Sequence, residues 1–505
     1  MNENNSAEMI ETLIRARYPL IYVVSFEEAR VSRNLKLITG ARKKELAAWS
    51  ITEGLELGGS FITELKDPIK VLDYILQSDA NGLFVLRDYH HYLGDPVVVR
   101  KLRDAAHILK TTLKNIIFLS PVLKIPVELE KEIAVIDYEL PDKEEISRII
   151  EKIRGSLENP GPVCDKDGED KIAETALGLT AEEAENVFAK SLVRKGMFDV
   201  SVILSEKEQI IRKSGVLEYC RVSENIQEVG GLDELKKWLA KRGKAFTPKA
   251  RKFGLPEPRG ILLLGIPGCG KSLAAKAIAG LWQLPLLKLD VGKVFSSYVG
   301  SSEENVRRAI RTAESIAPVI LWLDEMEKGF SGLGSSGMTD GGTAARVFGT
   351  FLTWLQEKTT PVFVVATSNN VSQLPPELLR KGRFDEIFYV DLPSKEEREE
   401  IFRIHLEKRG RGARDFDLAL AAAKTHGFSG SEIEEVIVSA LYDAFDQGCE
   451  LEARHLMAAA AAIIPLSQTM EEQIRSIREW AKLRARRASS VRWEEEPGAV
   501  RQLEM

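Results

Sequence analysis

Short apolar runs alternate with longer amphipathic stretches along most of the 505-residue chain. From Arg15 to about Ile136 the runs are Pro19–Ser25 (PLIYVVS), Leu46–Thr52 (LAAWSIT), Gly82–Asp88 (GLFVLRD) and Asn115–Pro121 (NIIFLSP). Each has the length of a buried strand and is too short for a core helix. Strands that alternate with helical stretches predict a mostly parallel α/β sheet. The alternation returns from Val222 to about Leu392, with Ile261–Leu264, Pro318–Leu323 and Pro361–Ala366 as apolar strands. A helical stretch with a polar break at Leu157–Asp170 separates the two regions, and Lys395 to about Ile464 is helical and alanine-rich. The pattern predicts an α/β domain over residues 1–138 and a helical, lid-like region with a linker over 139–221. A second α/β domain over 222–393, a helical lid over 394–466 and a charged tail over 467–505 complete the chain.

Two pieces of sequence repeat. Leu140-Pro-Asp-Lys-Glu-Glu145 matches Leu392-Pro-Ser-Lys-Glu-Glu397 at an offset of 252, and Gly178–Val187 resembles Gly427–Val436 at an offset of 249. Helix starts alone do not predict a shared offset, so the first half reads as a diverged copy of the second.

Composition narrows the class. Hydrophobic residues are 44% and charged residues 29%, as in soluble globular chains, and a net charge of −6 gives no overall case for nucleic acid or an anionic membrane. The longest apolar run, Leu456–Leu466, is too short to span a bilayer, and the polar N-terminus shows no secretory signal. Cys164, Cys220, Cys269 and Cys449 lack paired spacing, which points to a reducing compartment and away from a zinc site. Cytoplasm, or its organellar equivalent, is the expected location.

The chemistry centres on Arg259–Ser272. Its apolar strand runs into Gly265-Ile266-Pro267-Gly268-Cys269-Gly270-Lys271-Ser272, which fits G-x-x-x-x-G-K-[ST], and a helix is expected from Leu273 onward. Glycines let consecutive N–H groups turn in on a polyphosphate, and the helix N-terminus adds favourable charge. Lys271 would reach the outer phosphates and Ser272 would ligate Mg²⁺. Downstream, Pro318–Leu323 ends in Asp324-Glu325, which delivers two carboxylates to the carboxyl edge of the sheet. Asp324 would hold the Mg²⁺ shell and Glu325 would polarise the attacking water. The strand Pro361–Ala366 leads to Asn369, whose amide can bond both the terminal phosphate and that water. Arg380 and Arg383 follow; arginines presented by a neighbouring subunit accelerate such reactions by roughly 10³–10⁵.

Residues from about Ile226 to Leu466 resemble the AAA (AAA+) ATPase module, with its motifs in order. The resemblance implies two tandem RecA-like P-loop modules in an α/β fold, the first degenerate, with ATP as the nucleotide. Ile226–Leu232, with Gly230, resembles the motif whose backbone lies beside adenine; Gly265–Ser272 resembles the Walker A and Leu321–Glu325 the Walker B. Asn369 resembles the first sensor, Arg380 and Arg383 the arginine fingers, and Gly427–Ser431, with Gly430 and Ser431, the start of the lid helix over the nucleotide. Tyr298-Val299-Gly300 resembles the pore loop with which hexameric members grip a polypeptide, so a homo-hexamer acting on a protein client is implied. The near full-length layout is similar to the AAA-domain family encoded in algal plastids and cyanobacteria, which would place the protein in plastid stroma if it is organellar.

The departures matter in both halves. The first half offers Ser25-Phe-Glu27-Glu28 where a phosphate loop would lie, so two carboxylates would repel phosphate and hydrolysis is not expected there. The second half has Ile266 and Cys269 inside the loop and Met326-Glu327 after the acid pair, none of which removes a catalytic group. Cys269 stands at a helix N-terminus, a setting that lowers a thiol pKa, and a redox brake is conceivable from sequence. The tail carries seven basic residues between Arg475 and Arg492, with Trp480 and Trp493, but Glu494–Glu496 beside it weakens a nucleic-acid reading. Two activities fit: a ring-forming remodeller or unfoldase of a protein client, or a slow ATP-gated switch without threading.

Overall fold

The computed structural model describes residues 6–156, 166–221, 226–246, 248–295, 301–329, 341–380 and 382–490. The chain divides into two compact units, residues 1–204 and 205–505.

In the first unit the strands are β1 (Leu20–Val24), β2 (Glu45–Ser50), β3 (Gly54–Leu57), β4 (Ser60–Ile62), β5 (Gly82–Arg87), β6 (Asn115–Ser120) and β7 (Ile133–Asp137). They form one seven-stranded sheet in the order β4-β3-β2-β5-β6-β1-β7, parallel except where β3 and β4 fold back antiparallel on the β2 edge. The continuous apolar runs are explained by burial on both faces. Leu20 and Tyr22 pack into one core with Trp49 and Phe118, while Ile21 and Val23 pack into the opposite core with Val31 and Leu35.

In the second unit the strands are β8 (Leu217–Cys220), β9 (Gly260–Gly265), β10 (Leu286–Leu289), β11 (Val319–Leu323), β12 (Val362–Ser368), β13 (Glu386–Val390) and β14 (Arg486–Arg487), ordered β14-β13-β9-β12-β11-β10-β8. The parallel cores of the two sheets have the same topology. In each, the first strand lies between the last and the fourth, and the second strand lies at the far side of the third. Each sheet also has a non-glycine residue in the left-handed region just past the third of these strands: Asp88 at φ 52 and Glu325 at φ 50. The first half is a degenerate second copy of the module.

The repeated sequence pieces are helix starts. Asp142 caps Lys143–Gly155 by accepting from Glu145 N, and Ser394 caps Lys395–Lys408 in a reciprocal box with Glu397. Thr180 with Glu183 and Ser429 with Glu432 form the same box at Ala181–Lys195 and Gly430–Asp446. Behind these starts, Phe402, Leu406, Ile433, Val436 and Leu456 bury into a helical core of their own, which makes the second unit's lid a separate layer.

Residues 467–490 do not form the separate charged tail that their composition suggests. Glu471–Arg484 is a helix, and β14 pairs in parallel with β13 as the sheet's edge strand. Ala488 is fully buried among Trp238, Ile261 and Phe388. Two arginines of this segment cover acids of the same domain: Arg478 covers Asp391 and Arg486 covers Glu234. Trp493 and the acids after it lie outside the described residues.

Candidate active site

The β9 strand delivers the loop Gly265–Gly270 to the carboxyl edge of the sheet, and Lys271–Trp282 continues it as a helix. The glycines answer to two constraints. At Gly265 a Cβ would lie 1.9 Å from Val390 O, and at Gly268 it would lie 2.1 Å from Ser431 Oγ. Gly270 has φ 87 and nothing within 4 Å of a Cβ position, so the loop turns sharply beneath open space. Lys271, only 6% exposed, donates to the carbonyls of Gly265 (3.0 Å) and Ile266 (2.7 Å). Burial lowers its pKa to about 8, against the opposing pull of Cys269, Glu327, Asp324 and Glu325.

Three segments converge on Asp324. Its Oδ1 accepts from Ser272 Oγ at 3.1 Å and from Thr367 Oγ1 at 2.8 Å, and its Oδ2 pairs with Lys288 Nζ at 3.2 Å. Lys288 is held over the Trp322 ring at 4.5 Å. Hard oxygens from Ser272, Asp324 and Thr367 in one cluster suit Mg²⁺, which keeps most of its water shell and takes few protein ligands. Glu325 follows with its backbone N–H on Thr367 Oγ1 at 2.9 Å. Asn369 donates from Nδ2 to Glu325 Oε1 at 3.4 Å and from its backbone N to Glu327 Oε1 at 3.0 Å. Glu327 is therefore not a neutral variant of the acid motif but the anchor of the Asn369 turn.

A cleft of about 480 Å³ joins these groups to the lid. On the side away from Glu325 it is walled by Val229, Gly230, Ile401 and His405, and Gly430 and Ser431 cover it at the start of a lid helix. Gly230 packs so tightly that a Cβ would lie 2.6 Å from Ile401 Cγ1, and Ser431 N donates to Gly268 O at 3.0 Å. Loop and lid are thus in direct contact. Gly265 and Ile266 form the loop's inner end, bonded to Val390 O through Ile266 N, while Pro267, Cys269 and Leu273 line the cleft.

Not every expected residue faces this cleft. Arg380 is exposed and does not line it. Arg383 is half-buried and donates to Leu352 O at 2.6 Å, so it is engaged by its own domain. Tyr298 and its neighbours Val299 and Gly300 lie outside the described residues. Cys269 reverses the sequence expectation of an activated thiol. Burial pushes its pKa up to about 12, outweighing nearby Lys271, and its Sγ rests 3.7 Å from Pro267 O. The thiol is half-buried at the cleft wall, and its raised pKa gives no support to a redox brake.

The equivalent place in the first unit is closed. Glu27 is 8% exposed, accepts from Ala181 N at 2.6 Å and pairs with Arg30 at 2.7 Å. Arg30 also reaches Glu145 and Glu139 O. The carboxylate therefore caps the lid-like helix itself, where the second unit brings Ser431 N to Gly268 O.

Sequence reasoning missed Thr367, Lys288, Glu327 and the Asp391–Arg478 pair. The Thr367-Ser368 hydroxyls before Asn369 were the readable signal for the first of these; the others depend on contacts between distant segments.

A glycine-rich loop, an acid bonded to a serine hydroxyl, a second acid and an amide stand at one sheet edge under a helical lid, the arrangement of a P-loop nucleotide site. Residues 261–392 match the ATPase family associated with various cellular activities (AAA). Residues 6–138 and 143–214 match the N-terminal and second domains of SpoVK-like AAA ATPases. The chain belongs to the AAA ATPase family. It is 42% identical over 489 residues to the "Uncharacterized AAA domain-containing protein ycf46" of Trieres chinensis, covering 95% of this chain and 97% of that one. The protein of the same name from Pyropia yezoensis is 40% identical over 494 residues, covering 96% and 99%. Among the described residues no helix is long and apolar enough to cross a membrane.

Proposed function

We propose that the chain hydrolyses ATP in the second unit and works as a homo-hexameric ring that remodels a protein client. The observation that supports this best is the convergence of Glu325 and Asn369 beside the Ser272–Asp324 pair in one lidded cleft. Bound Mg²⁺ would supply charge neutralisation to the phosphates, with Ser272 and Asp324 as its protein partners. Glu325 takes the proton of an incoming water at a carboxylate oxygen, and Asn369 fixes that carboxylate's direction. Lys271, already desolvated, exchanges its loop carbonyls for phosphate oxygens. Val229, Gly230 and Ile401 give the flat apolar wall that an adenine needs, and Gly430 and Ser431 close the lid.

The ring reading rests on the two arginines: a cation from a neighbouring subunit would speed hydrolysis, and exposed Arg380 is suited to provide it, with Arg383 bracing the turn from Leu352 O. Tyr298 is assigned the grip on the client by its family pattern. The competing activity, a slow ATP-gated switch, rests on the closed site of the first unit, where Glu27 and Arg30 occupy the place of a phosphate loop. We place the chain in a cytoplasmic or stromal setting, where ATP and Mg²⁺ are at hand.

Steady-state phosphate release by the full chain tests the chemistry. Wild type should turn over ATP with Mg²⁺, Lys271→Ala should lose binding, and Glu325→Gln should bind and fail to turn over. Equal turnover in wild type and Glu325→Gln would contradict the assignment.

A further inference from the structure

We infer that residues 471–490 are a working part of the nucleotide site: Arg478 neutralises its phosphate side and Ser489 fixes its nucleoside side. The inference rests on the nucleotide reading above and adds to it a segment that lies far from every motif in sequence.

At one end, Arg478 grips Asp391 with Nε at 3.0 and 3.2 Å from the two carboxylate oxygens and Nη2 at 2.8 Å from Oδ1. Asp391 lines the cleft and directly follows Val390, whose carbonyl accepts from Ile266 N in the phosphate loop. An unpaired Asp391 would set a negative charge against any polyphosphate held there. Both partners are largely covered, at 14% and 24% side-chain exposure, so the bidentate pair is not a solvated surface contact.

At the other end, β14 runs parallel to β13, which brings Ser489 level with Asp391 and, through Glu397, to the wall beside Gly230. Ala488 N donates to Tyr389 O at 2.9 Å, and Ala488 O accepts from Leu235 N at 3.0 Å. Ser490 N donates to Asp233 Oδ1 at 2.7 Å. Ser489 lines the cleft and donates from Oγ to Glu397 Oε1 at 2.6 Å. The same carboxylate accepts from Leu232 N at 3.4 Å and from Ser394 N through Oε2 at 2.9 Å. Glu397 therefore ties the segment beside Gly230, the start of the lid and the C-terminal segment into one wall. Arg478 acts through the charge of Asp391 and Ser489 through the Glu397 wall beside Gly230, so their effects are separable.

Calorimetric titration of the full chain with ADP and with inorganic pyrophosphate separates them. Arg478→Ala should weaken both ligands by about tenfold, because the exposed acid faces the phosphates. Adding Asp391→Asn to that variant should restore pyrophosphate binding, which a merely structural loss would not allow; this double variant also serves if Arg478→Ala fails to fold. Ser489→Ala should weaken ADP by about three- to tenfold and pyrophosphate by less than about twofold, and Ser489→Thr should recover the loss. Unchanged ADP affinity in both single variants would overturn the inference. Equal loss of ADP and pyrophosphate in Ser489→Ala, or no rescue by Asp391→Asn, would overturn the corresponding half. A wild-type chain that binds pyrophosphate but not ADP would instead bring down the nucleotide reading itself.

Discussion

Asn369 Nδ2 lies 3.4 Å from Glu325 Oε1, while the Asn369 backbone is pinned at 3.0 Å to Glu327. The amide thus orients the carboxylate proposed to take the water's proton, and Glu327 orients the amide. Asn369→Ala should lower kcat by about 10²-fold and change the affinity for ADP by less than about threefold. Glu327→Gln should give a milder loss of the same kind. Rapid-quench turnover against ADP titration checks both, and a drop in affinity as large as the drop in kcat would mean the turn is merely structural.

Lys288 competes for Asp324. Its ammonium sits 3.2 Å from Oδ2, on a strand that the sequence motifs leave out, and places a positive charge beside the oxygens suited to a divalent cation. Removing it in Lys288→Met should tighten Mn²⁺ binding, measured by electron paramagnetic resonance in the presence of ADP, by about tenfold. Lys288→Arg should stay near wild type. Weaker Mn²⁺ binding in Lys288→Met would show that the lysine orients the acid more than it opposes the metal.

Lys271 should report binding through protons. Its pKa is lowered to about 8 by burial, and phosphate oxygens favour the charged form, so binding raises the pKa. The sign follows: proton uptake accompanies ADP binding near pH 8 and above, and affinity falls as pH rises through that range. Titrations in buffers of different ionisation enthalpy measure the uptake. Proton release at pH 8.5 would contradict the charge state assigned to this lysine.

Glu27 has no part in hydrolysis, since it closes the first unit's own site. Glu27→Ala removes the cap of Ala181 N and one partner of buried Arg30. It should cost about 1–3 kcal/mol of stability, read by denaturant melts, and leave ATP turnover per active site unchanged. A stable variant with altered turnover would point to coupling through the first unit.

Much of this was legible locally. The phosphate loop, the acid pair and Asn369 could be read because each sits within one strand and the turn after it, and the repeated helix starts could be read because a capping box is four residues long. The shared strand order of the two units confirms what two short repeats suggested. Burial was not local. Cys269 looks activated in a sequence window, but in the fold burial raises its pKa, and the acids Asp391 and Glu432 that add to this arrive from distant segments. The same holds for Arg478, whose partner stands 87 residues away, and for Ala488, whose small side chain gives no hint that it completes a core. Charge composition alone made residues 467–505 look like a tail; the acids that these arginines cover lie elsewhere in the chain.

Whether a ring completes the active site can be read from the mass of the particle by light scattering. The Glu325→Gln variant, measured with ATP and Mg²⁺ and again without nucleotide, holds the bound state long enough to weigh it. A shift to about six protomers with ATP is the result expected if Arg380 acts across an interface. A monomer under both conditions would contradict the ring and leave the slow ATP-gated switch as the account of this protein.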